Sequence, residues 1–98
     1  MQFLYIHIWA SEKEIRIQCT DPKTIKLLNK EVKENFEDST IALKDDLSEE
    51  PYVARITAME LKNRHQKIAW WLFKMLCNHG WEPIETGNHW YKMKYSIS

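Results

Sequence analysis

Glycine is nearly missing from this chain: its 98 residues hold only 2 glycines, Gly80 and Gly87, alongside 3 prolines and 2 cysteines. Phosphate loops, dinucleotide fingerprints and calcium loops all need glycine where the backbone turns left-handed or approaches a ligand closely, and none of these motifs occurs. A nucleophile elbow and a zinc-protease signature are absent too. Cys19 and Cys77 lie far apart without paired spacing, so neither a disulfide framework nor a zinc knuckle is indicated. Reduced thiols in a cytoplasm are the simplest reading. No apolar run approaches the roughly 20 residues that cross a bilayer. The longest is Ile68 to Phe73, and no membrane association is expected. The apolar start contains His7, lacks a basic leader and runs into Glu12 rather than a small-residue cleavage site, so no signal peptide is expected.

What is present suits one ordinary domain spanning 1–98. Apolar residues make up 44% of the chain and charged residues 29%, far from the signature of disorder. The formal net charge is zero, which argues against strong non-specific attraction to nucleic acid. The charges are unevenly spread, however. Residues 38–61 carry Asp38, Asp45, Asp46, Glu49, Glu50 and Glu60 against Lys44 and Arg55. Residues 62–98 carry Lys62, Arg64, Lys67, Lys74, Lys92 and Lys94 against Glu82 and Glu85.

From Phe3 to Trp9 every side chain is apolar, aromatic or His, which predicts a central strand covered on both faces. Ile15, Ile17 and Cys19 alternate with polar residues and predict a half-buried strand in a hairpin with the first. Thr20 or Asp21 can cap a helix that begins at Pro22, where a missing N–H costs nothing. Ile25, Leu28, Val32 and Phe36 carry it to about residue 36. Thr40 to Leu43 reads as a short strand, Asp45 to Pro51 as an acidic loop or helix start, and Tyr52 to Met59 as a strand rather than a helix opened by Ser48. Leu61, Ile68, Trp71, Leu72, Met75 and Leu76 recur at helical spacing up to His79. Gly80 supplies a left-handed stop, and His79 suits the negative end of the helix dipole. An extended segment from Trp81, a turn at Thr86-Gly87-Asn88 and a return strand from His89 to Ile97 complete the chain. The expected fold is α+β: a small, mostly antiparallel sheet with two helices packed on one face.

The second helix carries more apolar surface than one face needs, because Trp70, Phe73 and Cys77 point away from the Trp71–Leu72–Met75 stripe. Another element or another chain must cover them, and with Trp81 they form a candidate interface for a protein partner or a second copy. The last strand sets Trp90, Lys92 and Lys94 on one face and His89, Tyr91, Met93 and Tyr95 on the other. Interleaved aromatics and lysines suit single-stranded nucleic acid, although lysines also protect an edge strand from unwanted pairing. Arg64 and Lys67, with Lys62 and His65, could extend such a surface or form the solvated start of the helix.

Other groupings carry less. Cys77, His79 and His89 match no metal-ligand spacing and lack a fourth ligand. Cys77 and His79 point about 200° apart on a helix, which disfavours a catalytic pair. Asp45, Asp46, Glu49 and Glu50 read as a solvated loop rather than a cation site, and His7 as a hydrogen-bonded sheet histidine rather than a general base. The expectation is a binding or adaptor protein without enzymatic activity, cofactor or metal. It would act through protein–protein contacts, first of all as a homodimer, and nucleic-acid binding is the alternative.

Overall fold

The computed structural model describes residues 2–36, 43–46, 51–57, 61 and 63–97. Alternation of side chains organises the sheet. In β1 (Gln2–Ala10) Ile6, Ile8 and Ala10 are buried, and in β2 (Glu14–Cys19) Ile15, Ile17 and Cys19 are. The two strands pair antiparallel with Ile8 opposite Ile17 and Trp9 opposite Arg16. β3 (Lys44–Asp46), β4 (Tyr52–Thr57), β5 (Glu82–Gly87) and β6 (Trp90–Ile97) complete a six-stranded sheet. Its order is β3-β4-β2-β1-β6-β5, with every neighbouring pair antiparallel.

Two helices among the described residues close over one side of this sheet. α1 (Pro22–Asn35) is started by Asp21, whose carboxylate accepts from the Lys23 N–H and the Thr24 hydroxyl, with Pro22 in the first turn. Its buried stripe of Ile25, Leu28 and Val32 lies over β2, β3 and β4. α2 (His65–Asn78) buries Ile68, Ala69, Leu72, Met75 and Leu76 over β1 and β2. Phe36 and Trp71 meet edge to face at 5.1 Å and 83° and tie the helices together. One contiguous core results, running from Ile6 and Ile17 through Ile56 and Met93 to the helices. The α+β fold with both helices on one face is thus as the sequence leads one to expect.

α2 ends in a complete Schellman motif. Gly80 has φ +95°, its N–H donates to the Cys77 carbonyl at 3.2 Å, and the Trp81 N–H donates to Leu76 at 3.0 Å. Trp81 is thereby turned back into the core, 5% exposed, with its ring 5.5 Å from Tyr95.

Several expectations need correction. α2 begins at His65, because Asn63 takes φ 61° and breaks the helical path; Leu61, buried and itself helical, lies before that break. Of the strand expected over Thr40 to Leu43, residues 40–42 lie outside the described residues, and the strand present is Lys44–Asp46, after buried Leu43. Asp45 and Asp46 therefore sit in a strand, not a loop, while Ser48, Glu49 and Glu50 lie outside the described residues. Tyr52–Thr57 is a strand, as expected. The C-terminal turn is Asn88-His89, with His89 at φ 65°, and Gly87 belongs to β5. The largest difference concerns β1, which is central but, among the described residues, covered on one face only. α2 lies over this strand and α1 over its neighbours on the same side, leaving Tyr5 44% exposed on the other.

Candidate functional site

The uncovered face of the sheet is built by strand alternation alone. Positions 3, 5, 7 and 9 of β1 point away from the helices, and the register sets each beside a residue of β6 or β2 facing the same way. Trp9 is paired with Trp90 and Arg16, His7 with Lys92 and Gln18, and Tyr5 with Lys94. Four aromatic side chains, one imidazole and several cations thus share a surface, although they come from three strands.

The rings form two groups. His7 stacks on Trp9 at 3.6 Å and 27°, and lies 5.8 Å from Trp90. Phe3 and Tyr5 make a second pair on the same face, 6.3 Å apart. Cations lie over rings in both groups: the Arg16 guanidinium is 5.8 Å from the Trp9 centroid, and the Lys94 ammonium 4.9 Å from Phe3. The platform also fixes Gly87. The Trp90 indole lies directly against its α-carbon, and a methyl group there would overlap Nε1 and Cε2 of the indole.

The acidic residues of this face stand at its margins. Glu82 and Glu85 are on the edge strand β5, opposite Lys94 and Lys92, and Glu14 pairs with Arg55 at 3.4 Å. Burial lowers the His7 imidazole below its ordinary pKa, and the positive Lys92 lowers it further, against a smaller opposing pull from Glu85. His7 is therefore neutral at pH 7. Its Nε2 and the Arg16 Nε are shut away from solvent with no hydrogen-bond partner among the described residues.

Trp90, Lys92 and Lys94 thus come together on one face as the sequence pattern implies. Arg64 and Lys67 do not join them. They stand at the start of α2, on the opposite side of the sheet, where the Gln66 amide lies 3.3 Å from the His89 imidazole in the hairpin turn. Lys62 lies outside the described residues. Sequence reasoning passed over Phe3, Tyr5, His7, Trp9, Arg16 and Gln18. The signal was there, an aromatic or His at every second position of β1, but it reads equally well as a strand buried on both sides.

The residues assigned to a protein interface separate. Phe73 is half-buried and stacks on Tyr91 of β6 at 4.6 Å and 24°, so the sheet itself covers much of the surplus apolar face of α2. Trp70 stacks on Phe73 at 5.4 Å and remains 49% exposed, and Cys77 is exposed nearby on the same helix. Trp81 is buried in the core and presents nothing to a partner. Cys77, His79 and His89 are not assembled either, since His79 caps the end of α2 and His89 lies against its start, about 20 Å away along a helix of this length. Among the described residues no three His, Cys, Asp or Glu side chains converge on a point. No described helix is long and apolar enough to cross a membrane. Neither family models nor curated proteins nor solved structures match this chain, so its fold and its own surfaces are the basis for any functional reading.

Proposed function

We propose that the protein is a non-enzymatic binding module that takes single-stranded nucleic acid across the uncovered face of its sheet. The observation that carries this reading is the ring series Trp90–His7–Trp9 with Tyr5 and Phe3, flanked by Arg16, Lys92 and Lys94. Unpaired bases stack on aromatic rings whatever their identity, and each such contact contributes about 1–3 kcal/mol. Phosphates follow the cations between the rings. A duplex would keep its bases stacked on each other and make no use of exposed indoles. A reducing, cytoplasmic setting belongs to this reading, supported by two thiols held apart, Cys19 buried and Cys77 exposed.

Titrating the intrinsic tryptophan fluorescence with short single-stranded oligonucleotides at two salt concentrations tests it. Quenching that weakens with salt is expected. Displacing two or three counterions gives a slope of log K against log salt of about −1.4 to −2.1. No salt-sensitive quenching with any single strand overturns the reading.

One observation favours a second contact, to a protein: Trp70 stands half-exposed on top of the Phe73–Tyr91 stack. Large aromatics of this kind anchor interfaces, and self-association through Trp70 is the corresponding reading. Sedimentation at high micromolar concentration is expected to show a dimer that Trp70→Ala dissolves. A strict monomer overturns it.

A further inference from the structure

The uncovered face is not flat. Between β1 and β2 it holds a hollow of about 190 Å³, lined by Tyr5, His7, Gln18, Thr20, Pro51 and Lys92. Its chemistry differs from that of the ring series beside it. The Gln18 side chain stands next to His7 across the strand pair, and no hydrogen bond occupies its amide among the described residues. The Nε2 of His7 is likewise unpartnered and closed off from water. Thr20 is committed elsewhere, its hydroxyl accepting from the Tyr5 N–H at 2.9 Å, which holds the end of β2 against β1 and fixes the wall of the hollow. Tyr5 offers an exposed ring at one side and Lys92 an ammonium at another.

We infer that this hollow takes one unstacked nucleobase of the bound strand and reads its edge through Gln18, with adenine preferred. Resting on the proposed nucleic-acid reading, the inference adds what that reading lacks, a selective position on an otherwise sequence-tolerant surface. An amide presents a donor and an acceptor side by side, so it can satisfy an edge that alternates them. Glutamine makes that pairing bidentately with the N6 and N7 of adenine. Tyr5 supplies the stacking face, and Lys92 stands where the adjoining phosphate passes.

Binding of six-nucleotide homopolymers of A, C, U and G to the intact chain tests the inference, with Gln18→Ala compared throughout. Gln18 is a half-buried position outside the core, and circular dichroism verifies that the variant is folded. The A oligomer is expected to bind about 5- to 150-fold more tightly than the others. Gln18→Ala should remove that preference, bringing the A oligomer down to the affinity of the other three. Equal affinity for all four, a preference for another base, or a preference that survives Gln18→Ala overturns the inference and leaves the nucleic-acid reading standing. Failure of every oligomer to bind overturns both.

Discussion

Replacing Trp9 with alanine is expected to weaken single-strand binding about 5- to 150-fold, the loss of one stacked base at about 1–3 kcal/mol. Trp9 stacks on His7, has the Arg16 guanidinium 5.8 Å from its centroid, and is paired across the strands with Trp90. Removing it takes away a stacking surface and also frees His7 and Arg16 from their packed positions. The core is untouched, because Trp9 points away from Ile8 and Ala10. Folding should therefore survive, whereas truncating a fully buried residue such as Leu72 would cost about 2–5 kcal/mol. Fluorescence anisotropy of a labelled oligonucleotide reads the affinity, with Trp70→Ala as a comparison of equal size on the helix side of the sheet. If Trp9→Ala binds as tightly as the unaltered chain, or if Trp70→Ala loses as much, the uncovered sheet face is not where the strand lies.

The architecture was legible because each buried element carries its own period. Ile15, Ile17 and Cys19 alternate with polar residues, and the α2 stripe recurs at 3.6 before Gly80 stops it; both readings match the structure. β1 was not legible in the same way. Its outward positions hold Phe3, Tyr5, His7 and Trp9 instead of charged residues, so hydrophobicity does not alternate and the strand reads as buried on both sides. A surface that binds through rings resembles a core at the level of composition, and only the placement of both helices on one side distinguishes the two. The site had to be half-seen for a further reason. Trp90, Lys92 and Lys94 lie within five residues and show their shared face locally, but their partners Trp9, His7 and Arg16 arrive through strand pairing across the whole length of the chain. Arg64 and Lys67 illustrate the converse, being basic in character yet on the wrong side of the sheet. The surplus apolar face of α2 posed the same problem: Tyr91 covers Phe73 only because β6 pairs with β1.

Gly87→Ala should reproduce much of the binding loss of a Trp90 deletion without touching an aromatic residue. Gly87 and Trp90 are paired across the two-residue turn of the β5–β6 hairpin, and the indole occupies the space where a β-carbon would be. The backbone at Gly87 is not left-handed, in contrast to Gly80, so alanine is conformationally acceptable there and the conflict is purely one of volume. Two responses are open, since β5 is an edge strand with every residue exposed and a bulge at Ile84. Either the hairpin end splays or the indole swings off the glycine, and the indole is freer to move because no hydrogen bond holds it among the described residues. Overpacking of this kind costs about 1–3 kcal/mol in a closed core, and at this open edge the stability loss should fall at or below the lower end. Binding is affected more, because a swung Trp90 no longer lies beside His7 and Trp9, and a loss of about 5- to 150-fold is expected. Near-ultraviolet circular dichroism would register the displaced indole while the far-ultraviolet spectrum and melting temperature stay close to those of the unaltered chain. A Gly87→Ala protein that keeps full affinity and an unchanged aromatic spectrum would show that Trp90 does not need this seat to serve the surface.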